Sequence, residues 1–321
     1  MMKTIMKRQT IGVVGTGQVG MAAAYAIFQQ KIASRLVLID VNRKRAEGEA
    51  MDLMHGQAYV GRCNVVAGDY EDLGDAQAVI IAAGVSQKPG ESRLELLNRN
   101  AIIFKEIAAK LDQYAPDAIL LIATNPVDIL TYVMQRLSQR PANRIIGTGT
   151  MLDTTRFRAL LADYYNVDPR SVHAFILGEH GDSEVPIWST ADIAGARLLD
   201  NTIMGKPFDR EAMAALFQKV RRAAYEIIDR KGYTNWAIGL VIAHLLRTIH
   251  DDQNSVLPVS VRLAGEYGID DVCLSIPAAV GIHGVGDRVL PALSHEELPA
   301  LRRSGDVLKE SLAGIRFDQG S

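Results

Sequence analysis

The chain has 321 residues, a formal net charge of −2, and 48% hydrophobic and 22% charged residues. That length suggests about two domains and is ample for a large core. The near-neutral balance leaves no electrostatic footprint for nucleic acid or an anionic membrane, so both are set aside as partners. Two cysteines, Cys63 and Cys273, lie far apart without metal-type spacing and read as buried thiols of a reducing compartment. Met1 to Gln9 carry basic residues but no long apolar run, and the longest apolar runs, such as 78–83, are strand-length. A cytoplasmic protein is therefore expected.

Thr10–Val14 reads as an apolar strand, followed by Gly15–Thr16–Gly17–Gln18–Val19–Gly20. An alanine-rich helical stretch at 21–30 leads to a second apolar strand, Arg35–Ile39, ending in Asp40. Strand, glycine turn, helix, strand and acid together supply the dinucleotide-binding context that a lone GxGxxG lacks. Gly15 permits the tight turn, Gly17 lets the backbone approach a pyrophosphate, and Gly20 lets the helix pack close to the strand. The helix N-terminus offers unpaired N–H groups and partial positive charge to the phosphates. Asp40 can accept hydrogen bonds from the ribose hydroxyls, and its charge disfavours a 2′-phosphate. NAD is expected over NADP, with Arg43 the one nearby residue that argues the other way.

The alternation continues with a helix at 45–55, a short strand Asn64–Ala67, a buried parallel strand at 78–83, a loop at 84–90 and a long helix at 91–114. A strand at 118–122, a helix Val127–Leu137 behind Asn125–Pro126, and a sixth strand at 144–147 complete the run. This predicts an α/β, doubly wound parallel sheet of Rossmann type over residues 1–147. After Gly147 the pattern changes. Helices are predicted at Met151–Tyr165, 209–231 and 235–250, with Asp209 an N-cap and Gly232 a C-terminal stop. Strands are predicted at 172–176, 255–262 and 272–280, and a last helix starts at Ser294, where Ser294 and Glu297 have capping-box spacing. Residues 148–321 thus read as an α+β substrate domain.

The strand at 172–176 runs into Leu177–Gly178–Glu179–His180–Gly181–Asp182–Ser183–Glu184. Its histidine is flanked by glycine and carboxylates, and histidine is the default proton donor or acceptor near neutral pH. A hydride-transfer enzyme needs such a group to move a proton on and off the substrate oxygen, and the group needs an orienting carboxylate. Asp153 is preferred over Asp182 for that role, because neighbours in a tight turn usually point apart. Arg156 lies three residues beyond Asp153, on nearly the same helix face, where it can grip a substrate carboxylate with two hydrogen bonds. The same spacing also fits a surface ion pair of little energetic worth. The other five histidines, His55, His244, His250, His283 and His295, lack metal spacing, so no metal site is expected.

Five motifs in order carry a resemblance over the whole chain. They are Gly15–Thr16–Gly17–Gln18–Val19–Gly20, Gln87–Lys88–Pro89–Gly90–Glu91–Ser92–Arg93, Thr124–Asn125–Pro126–Val127–Asp128, Leu152–Asp153–Thr154–Thr155–Arg156 and Leu177–Gly178–Glu179–His180–Gly181–Asp182. The chain resembles the L-lactate and malate dehydrogenases, most closely the bacterial L-lactate enzymes. The resemblance implies reduction of pyruvate to L-lactate. It makes His180 the proton donor, Asp153 its stabiliser, Arg156 the carboxylate clamp, and Arg93, on a closing loop, the group that polarises the carbonyl. It places Asn125 beside the substrate oxygen, Thr234 along the pocket and Ile238 against the nicotinamide, with Gly84 and Thr124 also along the cofactor. Gln87 occupies the position where a malate enzyme would carry arginine. An uncharged residue there would leave a second carboxylate buried and unpaired, at a cost of several kcal/mol, roughly. Pyruvate, or a slightly larger 2-oxo acid, is favoured, with a malate or other 2-hydroxy acid dehydrogenase the alternative, malate being kept as runner-up because Lys88 follows. Arg158 and His173 match the phosphate-binding pair of the relatives activated by fructose 1,6-bisphosphate, which implies a homotetramer. The competing class is a non-catalytic dinucleotide-binding sensor, which would have no need of Asp153, Arg156, His180 and Arg93 together.

Overall fold

A computed structural model describes residues 9–85 and 90–315, apart from the Arg93 side chain. The first half forms strands β1 (Thr10–Val14), β2 (Arg35–Ile39), β3 (Asn64–Ala67), β4 (Ala76–Ile81), β5 (Ile119–Ile122) and β6 (Ile145–Gly147). Helices α1 (Gln18–Gln29), α2 (Arg43–His55), α3 (Gln57–Val60), α4 (Arg93–Tyr114) and α5 (Val127–Leu137) lie between them. The strands pair in parallel in the order β3-β2-β1-β4-β5-β6, reversing direction of growth between β1 and β4. Their apolar runs are buried throughout at β1 and β5, as expected of strands covered by helices on both faces. In this arrangement ligands bind at the carboxyl ends of the strands, at the point where the order reverses.

The second half opens with α6 (Met151–Tyr165), then an antiparallel sheet of β7 (Val172–Leu177), β8 (Val185–Ile193) and β9 (Ala196–Arg197). Helices α7 (Arg210–Lys231) and α8 (Trp236–His250) follow, then β10 (Ser255–Ala264), β11 (Asp270–Gly281), β12 (Gly284–Arg288) and α9 (Glu297–Ala313). Phe157, Leu161 and Tyr165 of α6 pack with Ile176 of β7 and with Met213 and Val220 of α7 in a second apolar cluster.

Several features depart from the sequence reading: α3, β9 and β12 are not expected from it, α9 begins at Glu297 rather than at Ser294, and three further differences matter more. Helix α1 begins at Gln18 rather than at 21, because Gly17 is its N-cap and Gly20 belongs to its first turn. Strand β8 is additional; its Val185, Ile187, Ala191 and Ile193 alternate and are buried, despite Pro186. Strands β10 to β12 do not form a separate sheet. They extend the parallel sheet through the antiparallel pairing of Ser260 with Gly147, giving nine strands in one sheet. Among the described residues, no helix is long and apolar enough to cross a membrane.

Candidate active site

The dinucleotide turn is built as its sequence requires. Gly15 adopts φ 98°, and its N–H donates to the Ile39 carbonyl at 2.8 Å, tying the turn to the end of β2. A Cβ on Gly20 would lie 1.9 Å from the Gly15 carbonyl oxygen, so α1 approaches the turn more closely than any side chain allows. A Cβ on Gly17 would meet nothing within 4 Å. The start of α1 is therefore open, and it has no acidic residue in its first turn. An open helix N-terminus of this kind fits a pyrophosphate.

Asp40 accepts from the Thr16 amide at 2.7 Å, the Thr16 hydroxyl at 2.9 Å and the Asn42 amide at 2.9 Å. Burial works against its charge, but these donors hold the carboxyl below its ordinary range. Its charge stays at the end of β2 beside the glycine turn, with lone pairs left to accept further bonds. Arg43, the residue that argued for a 2′-phosphate, pairs instead with Asp69 at 2.6 Å and Glu47 at 3.2 Å. Beyond β4 and β5, Gly84 sits against the Thr124 side chain, whose hydroxyl donates to the Ala83 carbonyl at 2.7 Å. Asn125 follows, exposed, ahead of a cis bond to Pro126. Ile238 and Thr234 are partly buried at the start of α8. Gly239 holds that end of α8 directly against Ala22 of α1.

The histidine loop is pinned from several sides. Gly178 exchanges two backbone hydrogen bonds with Ser275 of β11, and the Glu179 amide donates to Ser304 of α9 at 2.8 Å. The His180 amide donates to Asp128 of α5 at 2.7 Å. The His180 ring lies with Nδ1 2.5 Å from Asp153 Oδ2, while Asp153 Oδ1 accepts from Arg156 at 2.9 Å. One buried carboxylate thus serves two cationic groups, and it leaves His180 Nε2 and the remaining guanidinium donors for a ligand. Burial opposes charge on the imidazole. Asp153, and then Asp128 and Glu184, overcome it and carry the His180 pKa up to about 9. Burial also disfavours charge on Asp153, but His180 and Arg156 keep its carboxyl below the ordinary range. Asp182 points elsewhere: its carboxylate accepts from Tyr225 and its carbonyl from Arg221.

Sequence reasoning gave no role to Asp128, Ser260 or Glu184. Asp128 is 2% exposed and also accepts from the Ser260 hydroxyl at 2.5 Å. Burial pushes its carboxyl up to about 6, with those two donors opposing. A serine within the apolar run of β10 and the acid closing the motif at 124–128 were the available signals. Arg93 opens α4 behind a capping box between Ser92 and Glu95; its side chain lies outside the described residues, as does Gln87. Arg158 donates to the Ala174 carbonyl at 2.9 Å and lies over Phe175, on the face of β7 that also carries the exposed His173. Among the described residues, no group of His, Cys, Asp and Glu could hold a metal ion.

Residues 9–147 match the model of the lactate/malate dehydrogenase NAD-binding domain, and residues 150–316 that of the family's alpha/beta C-terminal domain. The chain belongs to the lactate/malate dehydrogenase family. Its cofactor is NAD. It is 58% identical to the L-lactate dehydrogenase of Salinibacter ruber, over 97% of this chain and 99% of that one. It is 48% identical to the L-lactate dehydrogenase of Gloeobacter violaceus, over 95% and 93% of the two chains. Among solved structures it is similar to a ligand-bound minor L-lactate dehydrogenase from Enterococcus mundtii. The TM-score is 0.94 at 43% identity, covering 97% of this chain and 99% of that one.

Proposed function

We propose that the protein is an NAD-dependent L-lactate dehydrogenase that interconverts pyruvate and L-lactate through a His180–Asp153 proton relay. The observation that carries this reading is Asp153, buried and shared between His180 and Arg156. NAD, when bound, supplies or accepts the hydride. Arg156 binds the substrate carboxylate with the donors that Asp153 does not use, which fixes the carbonyl relative to the histidine. His180, protonated near neutral pH, gives its Nε2 proton to the substrate oxygen as charge develops there, and takes it back in the reverse direction. Asp153 orients the ring through Nδ1 and stabilises the imidazolium.

Asn125 orients the substrate oxygen, Thr234 lines the pocket and Ile238 shields the nicotinamide. Arg93 polarises the carbonyl from the loop side. Gln87, outside the described residues, selects a monocarboxylate, since it offers no charge to a second one. Asp40, Gly15, Gly17, Gly20, Gly84 and Thr124 form the cofactor cradle. Arg158 and His173, paired across a twofold axis of a homotetramer, form a site for fructose 1,6-bisphosphate. The enzyme works in the cytoplasm. His180→Gln tests the reading. Turnover of pyruvate should fall by about a hundredfold or more, while NADH affinity, measured by fluorescence titration, stays near native. A variant that retains native turnover would overturn it.

A further inference from the structure

Hydride and proton must reach one substrate carbonyl, so the groups that deliver them have to be held at a fixed distance from each other. The two come from different halves of the chain: the NAD-binding match covers residues 9–147, whereas His180 lies in the part matched by the C-terminal domain. Among the described residues, the outside groups that hydrogen-bond the loop 178–184 are Ser275, Ser304, Asp153, Arg221 and Tyr225, all of the second half, and Asp128, of the first. Asp128 stands in the first turn of α5, just after Thr124 and Asn125, and Thr124 is tied to the Ala83 carbonyl beyond β4. Its Oδ2 accepts from the His180 amide at 2.7 Å and its Oδ1 from the Ser260 hydroxyl at 2.5 Å. Burial pushes the carboxyl up to about 6, with those two donors opposing, so at neutral pH the carboxylate predominates and both oxygens accept. Ser260 is fixed in its turn, because β10 meets β6 closely there: a Cβ on Gly147 would lie 2.7 Å from Ser260 Cβ. A fully buried carboxylate is costly to fold around, and what this one holds is the main chain of the proton donor.

We propose that Asp128 is a positioning residue of the reaction: aimed by Ser260, it grips the His180 main chain and sets the distance between the proton donor and the cofactor side of the cleft. The inference rests on the relay reading given above. Arg156 is held separately, by Asp153 on its own helix, and the dinucleotide turn is held by the Gly15 bond to β2. Loss of Asp128 therefore leaves both binding sites in place and loosens only their register with His180. The step that suffers is the chemical one, where a displacement of about 1 Å can cost about a hundredfold in rate.

The test compares Asp128→Ala, Asp128→Asn and Ser260→Ala with the native enzyme at neutral pH. Asp128→Ala removes both acceptors. Its kcat with pyruvate should fall at least about tenfold, while KM for pyruvate and NADH affinity, read by fluorescence titration, stay within about threefold of native. With NADH deuterated at the transferred hydrogen, its isotope effect on kcat should be at least as large as the native one. Asp128→Asn keeps an oxygen for the His180 amide and a nitrogen that can donate to the Ser260 oxygen, so it should recover most of the lost kcat. A near-native kcat in Asp128→Ala, losses of equal size in KM and NADH affinity, a smaller isotope effect, or an Asp128→Asn as slow as Asp128→Ala overturns the role. If Asp128→Ala fails to fold, Ser260→Ala decides: loss of the hydroxyl that aims the carboxylate should lower kcat at least about threefold at unchanged KM, and a native kcat overturns the role. His180→Gln separates the two readings. Native turnover in that variant removes the relay and this inference with it, whereas a slow His180→Gln beside a native Asp128→Ala refutes Asp128 alone.

Discussion

Replacing Asp153 by Asn removes one charge and little volume, and its consequence follows from the geometry. The carboxylate lies 2.5 Å from His180 Nδ1 and is the strongest of the influences raising the imidazole pKa from 6.5 to about 9. That displacement corresponds to about 3 kcal/mol in favour of the imidazolium. At pH 8 about nine-tenths of a histidine titrating near 9 carries its proton, against about 3% of one titrating at 6.5. Burial works against the charge, so without Asp153 the histidine should titrate at or below its ordinary value. The expected result is a fall in kcat/KM for pyruvate of at least about thirtyfold at pH 8 from proton occupancy alone. The deficit should narrow as pH drops towards about 6. The assay is NADH oxidation by pyruvate across the pH range, with NADH affinity as the control for folding. An alkaline limb at the native position in Asp153→Asn would refute the assignment of Asp153 as the partner that sets His180.

Other consequences can be checked independently. His180 and Glu184 both have folded-state pKa values raised above their ordinary ones, so the folded protein binds more protons. Their contribution to stability is therefore lost as pH rises, and the urea midpoint should decline between about pH 6.5 and pH 9; a midpoint that climbs over that range would contradict the burial described. Gly20→Ala puts a methyl group where the Gly15 carbonyl oxygen already stands, at 1.9 Å. It should cost about 1–3 kcal/mol in denaturant titrations and weaken NADH binding, whereas native affinity would show that the turn tolerates a wider spacing. Gln87→Arg should move the ratio of kcat/KM for oxaloacetate over pyruvate upward by at least about tenfold, and an unchanged ratio would remove Gln87 from the specificity argument. Millimolar fructose 1,6-bisphosphate should lower the pyruvate concentration at half-saturation, and Arg158→Gln should abolish that response. Saturation curves indifferent to the activator would reject the Arg158–His173 site.

Much of the fold was legible because its signals are local. The apolar runs of β1, β2 and β3 and the helix Val127–Leu137 begin and end where sequence patterning places them. The caps were legible too: Asp209 accepts from the Glu211 and Ala212 amides, and Gly232 closes α7 in the left-handed region. Ser294 and Glu297 exchange the two hydrogen bonds their spacing suggested, but α9 itself begins at Glu297 with Glu296 as its N-cap. What escaped was long-range or disguised. The alternation that buries one face of β8 is broken by Ser189 and shadowed by Pro186. The joining of β10 to β6 rests on a pairing between Ser260 and Gly147, residues 113 apart in number, which no local pattern announces.

The same holds at the site. His180, Asp153 and Arg156 could be named from spacing and residue type because each has a chemistry of its own. Asp128 and Glu184 could not, since an acid in sequence carries no sign of burial. Only the structure shows that one is held between Ser260 and His180, while the Oε1 of the other is buried without a partner among the described residues. What sets them apart is desolvation, which is a property of packing and not of composition.

The most direct measurement is the native enzyme's kcat/KM for pyruvate and for oxaloacetate with NADH, at neutral pH and at one substrate concentration series for each. A clear preference for pyruvate, yielding L-lactate, is the result predicted by a relay facing a single carboxylate held by Arg156. A preference for oxaloacetate, or no oxidation of NADH with either acid, would contradict it.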